Sequence, residues 1–264
     1  MPLEIVDPLP LDAFFRPANW PKGTGALMTT RRGGVSVPPF DSLNLKAQTP
    51  DPLDQIAVAE NRRRFAATLG ATPVFLDQVH GTRVVRLASA HAGPEAATEQ
   101  ADASITTVPG IACTVMVADC LPVLLATRDG RAVGAAHAGW RGLAGGVLEA
   151  TVDAIRAAVP VAAGDIVAWL GASIGPTAFE VGADVPAAFH DGETRHFVPA
   201  PARGGVPKWH ANLPALAEGR LRRLGLTDVT GCGQCTVSDA SRFFSYRRDR
   251  VTGRLAAAAW IDVA

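Results

Sequence analysis

Three side chains able to hold a soft metal stand out in this chain: His80, Cys120 and His137. Each lies at a strand-like end or inside an apolar run. His80 sits in Gln78-Val79-His80-Gly81, Cys120 in Ala118-Asp119-Cys120-Leu121-Pro122, and His137 just before Ala138-Gly139-Trp140-Arg141-Gly142. Two imidazoles and a thiolate suit zinc, and three protein ligands leave a fourth position for water or substrate, as a catalytic zinc site requires. The three are far apart in sequence, so two other readings stay open. Cys120 is either a nucleophile with His137 as its base or a buried structural thiol. Asp119, a carboxylate in a buried-looking run, is costly to place there unless something uses it.

The glycines after His137 carry a second expectation. Gly139 to Gly142 lead into a helix, and a glycine-rich approach to a helix N-terminus presents free N–H groups to an anion such as phosphate. The alternative is a tight strand-to-helix turn. Cys232 and Cys235 have CxxC spacing but no second pair, which argues against a zinc knuckle or a redox pair, and Cys113 reads as core.

These residues need a scaffold, and the chain has material for one. Its 264 residues suit one large domain with a sizeable core, and 48% hydrophobic against 19% charged residues marks a folded rather than a disordered chain. Lys plus Arg and Asp plus Glu number 25 each, so no charge balance argues for nucleic acid or an anionic membrane as partner. The start has an early Glu4 and Asp7 and no basic region before an apolar core, and the most apolar stretch is broken by charges. Four cysteines are too few for a disulfide scaffold. A cytoplasmic monomer is the expectation.

Residues 1–25, rich in proline, are expected to wrap the surface. Strands are predicted over 26–30, 73–76, 82–87, 112–117, 121–126, 132–136, 166–170 and 255–261, several of them apolar enough to be buried on both faces. Asp129-Gly130 marks a turn between two of them. Helices are predicted over 51–69, with Leu53, Ile56, Ala57, Phe65 and Leu69 as its apolar face, over 143–159, 185–190 and 209–224. Residues 88–100 read as a loop or frayed helix and 190–205 as a surface loop. The class is α+β, a single domain over 1–264 with mixed sheets flanked by helices.

Thr29 to Asn44 (TTRRGGVSVPPFDSLN), Glu60-Asn61-Arg62, the three blocks around His80, Cys120 and His137, Ile174-Gly175-Pro176 and Phe243 to Arg248 (FFSYRR) occur together in this order. In this the chain resembles the peptidoglycan editing factor family, also known as laccase-domain multicopper polyphenol oxidases and as purine nucleoside phosphorylases. The resemblance implies a cysteine-hydrolase-like fold and a zinc enzyme with His80, Cys120 and His137 as both metal ligands and catalytic residues. It implies phosphorolysis of adenosine, inosine and methylthioadenosine to base and ribose 1-phosphate, with adenosine deaminase activity beside it. Phosphate then sits against the Gly139 turn with Arg141 or Arg31 as clamp, Asn44 and Gln78 contact the nucleoside, and Asp119 orients its neighbours. The editing-factor name implies instead a Cys-dependent amide hydrolase acting on a misincorporated amino acid in a peptidoglycan precursor. Copper is disfavoured, because the clustered histidines of multicopper oxidases are absent. The chain departs from the family pattern at Asn212, where Asp is usual, and at Glu218, where Arg is usual.

Overall fold

The near-continuous apolar runs between residues 111 and 138 need cover on both faces, and two stacked sheets with helices outside them provide it. The structure, a computed structural model, describes residues 7–47, 52–93, 96 and 98–263. Along the chain these form β1 (Phe14–Phe15), β2 (Thr24–Thr29), α1 (Pro52–Leu69), β3 (Thr72–Phe75), β4 (Val84–Leu87), β5 (Ala103–Thr106), β6 (Ile111–Val117), β7 (Leu121–Thr127) and β8 (Val133–Ala138). There follow α2 (Trp140–Gly145), α3 (Val147–Ala158), β9 (Ile166–Leu170), β10 (Glu180–Val181), β11 (Phe197–Arg203), β12 (Val206–Ala211), α4 (Leu213–Arg223), β13 (Asp228–Gly231), α5 (Tyr246–Asp249) and β14 (Leu255–Ile261).

One sheet has the order β1-β2-β14-β6-β3, a second β13-β9-β7-β8-β5-β4, and a small third β10-β12-β11. Both large sheets are mixed, with β3 parallel to β6, β13 to β9 and β4 to β5. Side chains alternate between two cores. On β7, Leu124 and Ala126 join the core between the sheets, whereas Val123 and Leu125 join the one under α3 and α4. On β14, Leu255, Ala257 and Ala259 face the inter-sheet core, while Ala256, Ala258 and Trp260 pack with Phe65 and Leu69 of α1. The layers therefore run α1, five-stranded sheet, six-stranded sheet, then α3 and α4. This is the expected α+β class.

Several expectations are corrected. In α1, Leu53 and Ile56 are exposed, and the buried positions are Asp54, Val58, Asn61, Phe65 and Leu69. The inward face is partly polar because Asn61 organises the 31–45 loop: its Nδ2 donates to Ser36 Oγ, Ser42 O and Asn44 O, and its Oδ1 accepts from Val35 N. The helix over 143–159 begins earlier, at Trp140, and is broken at Gly146, whose φ of +100° ends α2 and starts α3. Within α3, Leu148, Val152 and Ile155 are buried on one stripe as the periodicity predicts. Residues 190–205 are no plain loop. Phe197–Arg203 is a strand whose prolines are tolerated because it has a ladder neighbour on one side only, β12. Trp209 belongs to β12, so α4 starts only after Asn212. Residues 185–190 hold one short 3-10 turn, Pro186–Ala188, and 88–100 another, Ser89–Ala92. Asp51 as the first residue of α1, residues 1–6 of the N-terminal segment, and 94, 95 and 97 of the 88–100 stretch lie outside the described residues.

Candidate metal centre and its cavity

The β7–β8 hairpin does the first part of the assembly. Its antiparallel register pairs Leu121 with Ala138 and Pro122 with His137, so Cys120, one residue before β7, stands beside the end of β8. His80 arrives from the connection between β3 and β4. The three potential ligand atoms lie within 4.8 Å of one another, with Cys120 Sγ and His80 Nε2 3.8 Å apart. Exposure falls from His80 through Cys120 to the buried His137.

One of these residues, and the neighbour of another, need unusual backbone. His80 has φ +63° and Asp119 φ +100°, the left-handed region that costs a non-glycine residue on the order of 1–3 kcal/mol. Asp102 holds the first: its carboxylate accepts from the N–H groups of Val79 at 3.1 Å, His80 at 2.8 Å and Gly81 at 2.6 Å. The second is held by the turn after β9 and by the C-terminal part of the chain. Asp119 accepts from Thr236 Oγ1 and from Arg247 N, each at 2.6 Å, and its carbonyl accepts from Ile174 N at 2.9 Å. Asp119 thus positions the Cys120 turn through backbone and loop contacts, and the carboxylate that orients a histidine ring is Asp102.

Asp102 Oδ1 lies 2.8 Å from His137 Nδ1, which turns Nε2 of that ring towards Cys120 and His80. Burial alone would raise the Cys120 thiol, but the charge of His137 and hydrogen bonds from His137 and His80 outweigh it and bring the pKa down to about 6. For His137 burial is likewise the largest influence and disfavours charge; Cys120 and Asp102 reverse it, raising the pKa to about 9. A thiolate, one ring nitrogen fixed by a carboxylate and a second, exposed imidazole make a donor set that fits zinc.

The cluster opens into a cavity of about 570 Å³ whose wall includes Lys46, Arg62, Phe75, Met116, Tyr246 and Arg254. Gln78 lines it too, but its carboxamide is engaged twice by Met116, donating to the carbonyl at 2.8 Å and accepting from the N–H at 2.7 Å. Asn44 is fully buried behind the wall rather than on it. Its Oδ1 accepts from Lys46 N and Arg254 N, and its Nδ2 donates to Asp54. Arg31 is ion-paired to Asp41 at 3.0 Å and lines a separate surface cleft with Arg32 and Ser241. Arg141 is exposed, stacked on Trp140 at 4.4 Å, and is no part of the cavity wall.

Close packing accounts for the glycines after His137. A Cβ on Gly139 would stand 2.9 Å from His80 Cδ2 and 3.0 Å from Cys120 Sγ; one on Gly142 would stand 2.9 Å from Gly81 O. Of the two departures from the family pattern, Asn212 caps α4 by accepting from Ala215 N at 3.1 Å, and Glu218 pairs with Arg222 on the surface. Cys232 and Cys235 are unbridged, and Cys113 is fully buried in the inter-sheet core.

Sequence reading missed Asp102, Lys46, Arg62 and Arg254. A carboxylate opening the apolar run Asp102-Ala103-Ser104-Ile105 was a signal for the first. Arg62 sat in a noted motif without a role, and nothing local marked Lys46 or Arg254.

The family described as multi-copper polyphenol oxidoreductase laccase matches residues 25–262. A Pseudomonas aeruginosa protein named purine nucleoside phosphorylase is 48% identical over 257 residues, covering 96% of this chain and 100% of its own length. The Escherichia coli K12 protein named purine nucleoside phosphorylase YfiH is 46% identical over 243 residues, 91% of this chain and 95% of its own. Among solved structures, Neisseria meningitidis protein NMB0706 superposes with a TM-score of 0.84 at 43% identity, covering 95% of this chain and all of the other.

Proposed function

The chain belongs to the multi-copper polyphenol oxidoreductase laccase family, and from that premise we propose that it is a zinc-dependent purine nucleoside phosphorylase. Adenosine, inosine or methylthioadenosine would react with phosphate to give the free base and ribose 1-phosphate, with adenosine deamination at the same centre. The observation that carries the reading is the His80–Cys120–His137 cluster on the wall of a cavity about 570 Å³ in volume, a size that suits a small organic ligand. Relatives at 46–48% identity that bear the phosphorylase name support it.

Each residue has a part that its own chemistry supports. Cys120 contributes the anionic ligand, with its thiol already biased to the thiolate. His137 contributes Nε2, with Nδ1 committed to Asp102, and His80 contributes the most exposed of the three donors. Zinc bound there supplies Lewis acidity at the cavity wall. Phe75, Met116 and Tyr246 offer apolar and aromatic surface against which a purine packs. Three donors are too few for a multicopper centre, so copper oxidation is not the reading we favour.

The test is release of base and ribose 1-phosphate from the three nucleosides, with and without phosphate, in zinc-loaded and chelator-treated protein. Phosphate-dependent product that is lost with chelator and in His80→Ala is the expected result. Absence of any such product at full zinc loading refutes the reading. One observation favours a second reading, Cys120 as the nucleophile of an amide hydrolase acting on a peptidoglycan precursor: the lowered thiol pKa with an imidazole 3.8 Å away. It requires activity that survives chelation and a covalent adduct at Cys120 visible by mass spectrometry.

A further inference from the structure

Two cations distant in sequence are brought together behind the metal-ligand cluster by one buried amide. Asn44 Oδ1 accepts from Lys46 N at 3.1 Å and from Arg254 N at 3.0 Å, and Leu45 N donates to Arg254 O at 3.2 Å. The side chains of Lys46 and Arg254 then line the cavity that also holds His80, Cys120 and His137. Arg62 completes the set. Its guanidinium lies 3.8 Å from the centre of the Phe75 ring, and its Nε donates to Leu45 O at 2.9 Å, beside Lys46 in the chain.

Like charges gathered in a half-buried cavity are unfavourable without an anion to answer them. Lys46 is held below its usual pKa by burial and by the charge of Arg254, and burial brings Arg62 down to about 10. None of the guanidinium hydrogen bonds goes to a carboxylate: Arg62 donates to Leu45 O and, from Nη2, to the Met116 sulfur at 3.8 Å, and Arg254 donates to Thr252 O and Gly253 O. Among the described residues neither forms an ion pair. Asp77 also lines the cavity, with its carboxylate accepting from Gln100 Nε2 at 3.3 Å. Arg254 is close enough to Cys120 and Asp119 to feel their charges, so the cations and the cluster face one space.

We propose that Lys46, Arg62 and Arg254 form the subsite for a tetrahedral phosphoryl anion in the cavity of the metal-ligand cluster. This rests on the phosphorylase reading for the identity of the anion, and it places the anion away from the Gly139 turn, Arg141 and Arg31. The anion is either free inorganic phosphate or a phosphoryl group carried on a nucleoside ligand. A planar guanidinium gives paired donors to phosphoryl oxygens, and the ammonium adds a point charge.

The experiment titrates inorganic phosphate, and separately adenosine 5′-monophosphate, into the zinc-loaded protein at fixed ionic strength by calorimetry. The variants are Lys46→Met, Lys46→Arg and Arg62→Met, each checked by circular dichroism and thermal midpoint. Phosphate affinity is expected to fall at least tenfold in Lys46→Met and Arg62→Met and to stay near wild type in Lys46→Arg. The same loss for both ligands, with the monophosphate binding more tightly, assigns the subsite to a ligand-borne phosphoryl group; loss for inorganic phosphate alone assigns it to the free ion. Folded variants that bind both anions as wild type does, or a wild-type protein that binds neither, overturn the proposal. Charge-dependent phosphate binding without phosphorolysis refutes the phosphorylase reading and leaves the subsite standing. Phosphorolysis with undiminished phosphate binding in the variants does the reverse.

Discussion

Asp102 makes more of the centre than any ligand does. It is fully buried and accepts four hydrogen bonds, three from the backbone of the His80 turn and one from His137 Nδ1. Burial works to raise its pKa, and the hydrogen bonds from His137, Gly81 and His80 hold it below the usual carboxylate range instead. Replacing it by Asn keeps the shape but removes the charge and puts an amide donor where backbone N–H groups already point. Zinc affinity of Asp102→Asn is expected to drop about 10- to 100-fold, the usual effect of losing a carboxylate behind a metal-bound imidazole. Competition titration against a chromophoric chelator measures it. An unchanged affinity in a folded Asp102→Asn protein shows that His137 needs no orienting carboxylate.

At the scale of elements, the cluster is a product of strand ends, and those were the readable part of the chain. Burial on both faces leaves long apolar runs, so β6, β7, β8, β9 and β14 could be placed from the sequence, and the Asp129-Gly130 turn made Cys120 and His137 neighbours. What was not readable depended on contacts between distant residues. The inward face of α1 is written in Asp54 and Asn61 because it answers a loop of irregular backbone, and a count of apolar positions cannot see that. Lys46 and Arg254 meet through the Asn44-Leu45 pair, some two hundred positions away from one of them. The glycines after His137 were visible as glycines, but free N–H groups and close packing predict the same residue type. The structure shows the close packing, and a substitution tests whether the turn also binds an anion. Gly139→Ala forces a methyl against His80 and Cys120, and overpacking of that kind costs about 1–3 kcal/mol. The expected outcome is a protein with wild-type circular dichroism and at least tenfold weaker zinc binding. A variant that keeps its zinc while losing only phosphate affinity returns the turn to the anion-binding role.

Across the whole molecule, the helical layer is tied to the centre by one buried ion cluster. Arg220 of α4, 4% exposed, donates from Nε and Nη2 to Glu193 at 2.9 Å each and from Nη1 to Leu143 O at 2.5 Å, reaching the end of α2 just beyond the Gly139 turn. Arg223 adds a second cation on Glu193 at 2.6 Å. Burial on its own would raise the Glu193 pKa, but the two arginines prevail and hold it at about 2 against an ordinary 4.5. A carboxyl whose pKa is depressed on folding binds fewer protons in the folded state, so its contribution is complete above pH 4.5 and is lost as pH falls from there towards 2. Glu193→Gln removes the nearer of the two carboxylates that answer the buried guanidinium, leaving Glu149 at 3.4 Å. Losing a partner of a well-buried pair costs at most about 3 kcal/mol here. Urea denaturation at pH 7 is therefore expected to show a much lower midpoint for the variant. The gap should close as the pH is taken from 4.5 to 3, because wild type then loses by protonation what the variant already lacks. Parallel midpoints over that range would mean that Glu193 keeps an ordinary pKa, and that α4 is held to α2 by packing rather than by charge.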